Sequence, residues 1–501
     1  MNIKEAKEQI MHTVRSYLAQ DEYARYEIPV NKQRPVFLMG PPGIGKTEIM
    51  SQVASELGIG LLSYSMTHHT RQSALGLPII KQKNYFGKEY DVSEYTMSEI
   101  ISSVYEMMKR TGMKNGLLFL DEINCVSETL SPIMLQFLQY KVFGGHKVPA
   151  GWIVVTAGNP PEYNNSVHEF DIVTWDRLKR IDIEPDYSVW KEYAYGAGVH
   201  PAIMTYLENK QQNFYLIETT VDGKSFVTAR GWDDLSRIIR QYEKQGIKVD
   251  RNVIGQYLQN EKIARDFSIY YDLYKKYQSD YQVDKILNGT AGDEILARAK
   301  KAEYDERFSL IGLLLEFVGR DAKIIMQTED TLSALMKQLT EVKMKSRMQS
   351  VDGLIEMEID NVISQQKRLS AANALSQKDS DRFSMQKKFL EAYLKEARLH
   401  ADNPFEGVRA AFNRDAEKHE RNCAAAKIHF ENMFSFCDDA FGKESQQLLI
   451  LVTELIANPY IASYIATKGC PAYFAHDEQM LFHKRNLDII KGFEKLNIHL
   501  K

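Results

Sequence analysis

The chain of 501 residues carries a formal net charge of −4 at pH 7, with 44% hydrophobic and 26% charged residues, as expected for a globular protein of roughly two to four domains. This balance argues against a globally nucleic-acid-binding surface, and four scattered cysteines without a close Cys-x-x-Cys pair argue against a zinc site or a disulfide framework. The charged N-terminus and the short aliphatic runs argue against a signal peptide and a membrane span, so we expect a cytoplasmic protein.

A phosphate-binding loop is the strongest signal in the N-terminal part. Residues 1–27 predict an amphipathic helix, and the apolar run 35–39 predicts a strand. The following eight residues fit the pattern G-x-x-x-x-G-K-[ST], and they are Gly40, Pro41, Pro42, Gly43, Ile44, Gly45, Lys46 and Thr47. A helical pattern comes next, which completes the strand–loop–helix context that the motif requires. Backbone N–H groups would surround phosphate oxygens, Lys46 would reach the β- and γ-phosphates, and the Thr47 hydroxyl would bind Mg²⁺.

A polar stretch follows the second predicted strand. In chain order we predict a strand (59–64), a polar loop (67–72), a hairpin (85–96) and a helix (97–110). The loop contains His68 and His69, and one interpretation of this pair is a metal site. No acidic or cysteine ligand stands at a suitable spacing, and we favour a loop at a ligand or subunit edge.

Two acidic residues end the next apolar run, 116–122. Its pattern is typical of a buried parallel strand, and ligands in open α/β sheets bind at the carboxyl ends of such strands. Asp121 would therefore hold Mg²⁺, directly or through water, and Glu122 would orient and polarise an attacking water. The alternative is an ordinary strand that ends in a charged turn, which the upstream phosphate loop disfavours.

A second apolar strand ends in an amide. We predict a helix (131–139), a projecting hairpin (141–151) and a buried strand (152–159). Asn159 at the end of this strand would lie near the γ-phosphate and hydrogen-bond the same water. The alternative is a turn that begins at the Asn159-Pro160 dipeptide.

Three arginines are candidates for contact with the γ-phosphate. Arg177 and Arg180 lie in the segment 164–186, from which an arginine could reach the nucleotide of a neighbouring subunit in a ring and stabilise the transition state. The alternative is a basic cluster on the surface. A helix (190–207) follows, and Arg230 stands where another helix begins, from which it could reach phosphates as part of a lid.

These motifs together resemble the MoxR branch of the AAA+ ATPases. The resemblance identifies 40–47 as Walker A, 117–122 as Walker B, 157–160 as sensor 1, 176–178 as the arginine-finger segment and 228–232 as sensor 2. Leu178 replaces the usual Phe of the finger segment, and the residues beside Arg230 differ from the usual Pro and Thr. These departures leave Arg177 and Arg180 as alternative fingers, of which we prefer Arg177.

The resemblance covers residues 1 to about 290 and carries several functional implications. It implies an ATP-dependent, chaperone-like remodeller that acts as a ring, usually a hexamer, on protein complexes or cofactor insertion. It also implies a partner with a von Willebrand A domain. The preference for ATP over GTP rests on the resemblance alone, because no motif that reads the base stands out.

Long helices are expected in the C-terminal part. No proline occurs from residue 202 to 403, and apolar residues recur at helical spacing in 332–342 and 389–397. The predicted fold is an α/β P-loop NTPase (AAA+) core with a parallel sheet, followed by a helical lid and an all-α C-terminal region. The predicted domains are a nucleotide-binding domain (1–188), a lid (189–290) and an all-α domain without an assigned role (291–501).

Three functions are compatible with these patterns. The first is an ATP-hydrolysing remodeller that uses Lys46, Glu122, Asn159, Arg177 and Arg230 for catalysis. The second is a DNA-acting ATPase related to restriction translocases, which the net charge disfavours. The third is a scaffold that binds nucleotide in order to assemble but scarcely hydrolyses it, which the Asp121-Glu122 pair disfavours.

Overall fold

The computed structural model describes residues 1–163, 167, 169–220 and 223–478. The chain divides into two compact units, the first formed by Met1–Val189 with Glu356–Leu390 and the second by Trp190–Ile355 with Glu391–Lys501. The segment Glu356–Leu390 thus belongs to the first unit, although the sequence places it within the predicted all-α region. The predicted division into three domains remains a prediction. Residues 479–501 of the predicted all-α domain lie outside the described part, as do residues 164–166 and 168 of the segment 164–186.

Strands and helices are numbered here in chain order. The strands are β1 (Val36–Met39), β2 (Gly60–Ser65), β3 (Pro78–Tyr85), β4 (Lys88–Tyr95), β5 (Gly116–Asp121), β6 (Val142–Phe143), β7 (His146–Lys147), β8 (Trp152–Gly158), β9 (Lys179–Asp182), β10 (Leu216–Thr220) and β11 (Gly223–Val227). The helices are α1 (Ile3–Leu18), α2 (Lys46–Leu57), α3 (Arg71–Leu75), α4 (Glu99–Thr111), α5 (Ser131–Tyr140), α6 (Ile172–Trp175), α7 (Tyr187–Ala197), α8 (Pro201–Asn209), α9 (Ala229–Gln245), α10 (Arg251–Tyr257), α11 (Glu261–Tyr281), α12 (Val283–Leu287), α13 (Asp293–Lys301), α14 (Tyr304–Lys345), α15 (Val351–Ala371), α16 (Gln377–Leu399), α17 (Pro404–Phe441), α18 (Gln446–Ala457) and α19 (Pro459–Lys468).

A five-stranded parallel sheet organises the first unit, with the strand order β2-β5-β8-β1-β9. Every residue of β8 is buried, as are the first five of β5, because a parallel sheet between layers of helices hides both faces of its central strands. All five strands run in one direction, so their carboxyl ends share one edge. The predicted α/β core with a parallel sheet is confirmed, and so is the mostly helical part that follows it.

A turn from the helical segment Glu356–Leu390 covers the outer edge of β2. The backbone N–H of Leu61 donates to the carbonyl oxygen of Ala372 at 2.9 Å, and Nδ2 of Asn373 donates to the carbonyl oxygen of Leu61 at 3.2 Å. Arg110 of α4 donates to the carbonyl of Ala371 at 2.6 Å. An edge strand otherwise offers unpaired N–H and C=O groups to other chains, and this turn satisfies some of them internally.

Two hairpins belong to the first unit. The predicted hairpin 85–96 is correct in type but begins too late, because β3 starts at Pro78 and pairs along its whole length with β4. Strand β3 was missed because Ile79 and Ile80 are followed by a run of polar residues. Phe86 and Gly87 both have positive φ angles, of 53° and 83°, as a tight type I′ turn requires. The second predicted hairpin, 141–151, is confirmed by β6 and β7.

The second unit is mainly helical and corrects two predictions. The single helix predicted for 190–207 is two helices, α7 and α8, because Gly198 has a φ of 72° and Pro201 begins a new helix after His200. The apolar stripe predicted in 332–342 is buried along α14 except for Met336, which is 61% exposed.

No single helix among the described residues combines the length and hydropathy needed to cross a membrane. Within the described part of the chain, α18 and α19 taken together have the required length and composition, but they are bent by 89° relative to each other.

Candidate nucleotide-binding site

The loop between β1 and α2 has the backbone shape of a phosphate cradle. Gly43 and Gly45 have φ angles of 74° and 98°, in the left-handed region that a side chain would strain. Gly45 is also the N-cap residue of α2, and no side chain caps this helix end. A helix N-terminus that begins with glycine is a place where backbone N–H groups can bind an anion.

Lys46 links this loop to the end of β8. Its side chain is buried, and Nζ donates to the carbonyl oxygens of Gly40 at 2.7 Å and Pro41 at 2.9 Å, and to Oδ1 of Asn159 at 2.8 Å. A buried ammonium group needs such partners, because burial without them is costly. The structure thus brings Lys46 together with Asn159, two residues that the sequence analysis assigns separately to the phosphates.

Thr47 and Asp121 form the candidate Mg²⁺ site. The Thr47 hydroxyl donates to Oδ2 of Asp121 at 3.0 Å, and the backbone N–H of Glu122 donates to Oδ1 of the same carboxylate at 2.9 Å. Hydroxyl and carboxylate oxygens are hard ligands of the kind that Mg²⁺ takes in nucleotide sites. The donor set therefore fits the ion, and Thr47 and Asp121 would hold it.

Glu122 is held by two hydroxyl groups that sequence reasoning missed. Its Oε2 accepts a hydrogen bond from Oγ of Ser65 at 2.9 Å and one from Oγ1 of Thr67 at 3.2 Å. Its backbone lies in the left-handed region, with φ 57° and ψ 34°, which is uncommon for a residue other than glycine. Ser65 pairs with Asp121 in the register of β2 and β5. Its closeness to Glu122 could therefore be found only once the strand order was known. Thr67 lies in the polar loop that the sequence places at a ligand or subunit edge.

Asn159 is oriented by contacts at both its backbone and its side chain. Because Oδ1 accepts from Lys46, the amide NH₂ group remains as the donor for a phosphate oxygen or a water. The backbone oxygen of Asn159 accepts from Nδ2 of Asn124 at 2.8 Å. Sequence reasoning also missed Asn124, which lies just beyond Walker B.

The site is strongly polar, and its charges affect a nearby thiol. Burial raises the pKa of Cys125, and the carboxylates of Glu122 and Asp121 raise it further. The thiol therefore stays protonated at neutral pH and is a poor nucleophile.

The two candidate finger arginines differ in their contacts. Arg177 is exposed and donates to the neutral side chain of Gln139 at 2.8 Å. Arg180 donates from Nε to Asp182 at 2.8 Å, and its guanidinium lies over the ring of Trp175, 4.6 Å from the ring centroid. Arg180 is therefore held by structural contacts. Arg177 hydrogen-bonds the neutral side chain of Gln139, and its charge helps to lower the pKa of the Asp171 carboxyl.

Arg230 lies in the second unit. It is exposed and occupies the second position of α9, which Thr228 caps by accepting a hydrogen bond from the N–H of Gly231 at 3.2 Å. Its predicted role in sensing nucleotide stays a prediction.

The paired histidines take no part in a recognisable metal centre. Nδ1 of His69 lies 3.1 Å from Oγ of Ser73, next to the N-terminus of α3. Within the part of the chain that the structure describes, no group of three or more His, Cys, Asp or Glu residues is arranged to hold a metal ion.

Comparison with known families agrees with this geometry. Residues 36–163 match the model of the ATPase family associated with various cellular activities, AAA. Residues 36–163 form an AAA domain. This span contains the phosphate loop, the acidic end of β5 and the end of β8, which are the parts that meet at the site. The AAA domain implies nucleotide binding, typically with Mg²⁺, and suggests ATPase activity. No curated protein matches the chain.

Proposed function

We propose that this protein is a Mg²⁺-dependent ATPase that converts ATP and water to ADP and phosphate. The observation that carries the proposal is the meeting of two pairs on one sheet edge, Lys46 with Asn159 and Thr47 with Asp121. Glu122 follows Asp121 directly, so a candidate base adjoins the candidate metal site. An AAA domain match over the same residues supports this assignment.

Each side chain has a role that follows from its position. Lys46 would exchange its contacts with loop carbonyls for contacts with the β- and γ-phosphates of ATP, and the N-terminus of α2 would add further donors. Mg²⁺ held by Thr47 and Asp121 would neutralise charge on the phosphates. Glu122 would orient the attacking water and accept its proton, and the NH₂ group of Asn159 would donate to that water or to the γ-phosphate.

Phosphate release by the wild-type protein tests this function. We expect steady release from ATP that requires Mg²⁺ and stops when EDTA removes it. A parallel assay with GTP decides which base is preferred, since no residue discussed above reads the base. Nucleotide binding without turnover would favour the scaffold alternative. Nucleotide-independent binding to DNA at physiological salt would favour the DNA-acting alternative.

We further propose that the protein assembles as a ring in which Arg177 reaches the nucleotide of the neighbouring subunit. Ile172 and Val173 of α6 are 86% and 57% exposed, and they lie close in sequence to the exposed Arg177. Neighbouring apolar side chains in water are commonly part of an interface, and a second copy of the chain would cover them. The MoxR resemblance, which implies a hexamer, supports the same assembly.

Replacing Arg177 with alanine is expected to lower kcat by roughly 10³–10⁵-fold, because the transition state loses a positive charge. Arg180→Ala is the matched variant and should retain turnover, because Arg180 contacts Asp182 and Trp175. Phosphate release measures both variants, and light scattering with a slowly hydrolysed ATP analogue measures assembly.

A mixing experiment checks that Arg177 acts between subunits. Arg177→Ala subunits mixed with Glu122→Gln subunits should regain turnover, because an intact site then receives an intact arginine from its neighbour. Loss of turnover in Arg180→Ala with normal activity in Arg177→Ala would reverse the assignment.

The wider biological role is also a proposal. We propose a cytoplasmic, chaperone-like remodeller of the MoxR type that acts on protein complexes together with a von Willebrand A domain partner. Arg230 and the helices of the second unit would respond to hydrolysis and pass the change to a client. The MoxR resemblance is the support for these statements.

A further inference from the structure

Asn124 lies at the junction of the two strand ends that carry the proposed catalytic groups. It belongs to the short 3-10 turn Ile123–Cys125 that follows β5, and only 2% of the residue is exposed. Its Nδ2 donates at 2.8 Å to the backbone oxygen of Asn159, the residue that follows β8. This hydrogen bond from a buried amide holds the turn after β5 at a fixed distance from the end of β8.

Gly158 provides the space that this contact needs. A Cβ atom at Gly158 would lie 2.4 Å from Oδ1 of Asn124 and 2.6 Å from its Cγ, distances that non-bonded atoms do not adopt. Any other residue at 158 would push the Asn124 side chain away from the backbone of Asn159. The hydrogen bond between Asn124 and the Asn159 backbone therefore requires glycine at position 158.

The bond has a specific consequence for Asn159. Asn159 is held at its backbone by Asn124 and at its side chain by Lys46, at 2.8 Å in each case. When ATP binds, Lys46 would turn to phosphate oxygens, and the Asn124 contact would remain as the restraint on Asn159. The NH₂ group of Asn159 then stays aimed at the γ-phosphate or the water.

We infer that Asn124 is a positioning residue for ATP hydrolysis, which acts by holding Asn159 in place. The inference rests on the proposed ATPase function and extends it to a residue outside the Walker and sensor motifs. Because Asn124 acts on the orientation of a catalytic amide, its loss affects the chemical step more than nucleotide binding.

Asn124→Asp tests the inference, because aspartate has nearly the same shape but cannot donate to the Asn159 carbonyl. We expect kcat to fall by roughly 10–100-fold, since misplacement of a reacting group carries a cost of this order. The Kd for a fluorescent ATP analogue should stay within about threefold of wild type. Gly158→Ala should also lower kcat, because its Cβ would displace Asn124 while both amides remain. The same Cβ would lie 2.8 Å from Cζ of the buried Phe37, so thermal unfolding of this variant is measured alongside kcat.

Asn373→Asp is the matched control. Nδ2 of Asn373 also donates to a backbone carbonyl in the first unit, that of Leu61 at 3.2 Å. This contact lies at the outer edge of β2 and involves none of the proposed catalytic residues. We expect this variant to lower thermal stability and to leave kcat unchanged. If the loss of either amide donor disrupted folding of the whole first unit, kcat would instead fall in both Asn→Asp variants.

A double-mutant cycle separates positioning from other roles. If Asn124 acts through Asn159, Asn124→Asp should lower kcat little or not at all in an Asn159→Ala background. An equal loss in both backgrounds, an unchanged kcat in Asn124→Asp, or a loss of nucleotide affinity that matches the loss of kcat would overturn the inference. Absence of turnover in the wild type is a different result, and it would reject the ATPase proposal itself.

Discussion

Lys46→Ala is expected to weaken ATP binding by at least about 100-fold and to remove measurable hydrolysis. Nζ of Lys46 lies within 2.7–2.9 Å of three oxygen acceptors around the loop, so the same ammonium can serve phosphate oxygens. Hydrogen bonds to a charged group are worth about 1.5–3 kcal/mol each, and loss of one or two accounts for a change of this size. Titration with a fluorescent ATP analogue measures the affinity, and phosphate release measures the turnover.

Lys179→Ala controls for the removal of a lysine from the same unit. Nζ of Lys179 donates at 2.6 Å to Oγ1 of Thr13, a contact between β9 and α1 that involves no residue of the phosphate loop. We expect this variant to bind ATP normally. Thermal unfolding of both variants shows whether each retains its fold. Undiminished ATP affinity in folded Lys46→Ala would contradict the assignment of the loop.

Glu122→Gln is expected to bind ATP normally and to hydrolyse it about 10²–10⁴-fold more slowly. Glutamine keeps the size of the side chain and an oxygen that can accept from Ser65 and Thr67, so the local geometry is retained. It cannot take a proton from water at neutral pH, and loss of a general base commonly costs about this much. Single-turnover phosphate release and the analogue titration separate the two effects.

Glu128→Gln supplies the comparison for this charge change. Glu128 is exposed and lies six residues further along the chain, and no catalytic role is assigned to it. The Glu128→Gln variant should hydrolyse ATP at the wild-type rate. Wild-type turnover in Glu122→Gln would exclude Glu122 as the base. If turnover is slow as expected, affinity capture of Glu122→Gln with ATP should retain the client proteins that the proposed remodeller engages.

The sequence by itself determined the parallel sheet and named the polar residues of the candidate site. The phosphate loop is a contiguous motif whose glycines specify its backbone, so Lys46 and Thr47 could be placed from a few neighbouring residues. Asp121 and Asn159 follow buried apolar strands, and parallel strands end at one edge. These local signals therefore predicted that the polar groups would meet.

Only the tertiary structure decided which residues support that site and which segment completes the unit. Ser65, Thr67 and Asn124 contact residues that follow the ends of other strands, and their type and spacing carry no motif. The segment Glu356–Leu390 joins the first unit through hydrogen bonds to Leu61, far from it in the chain. Contacts between distant parts of a chain depend on strand order, register and packing, and periodicity along the sequence does not encode them.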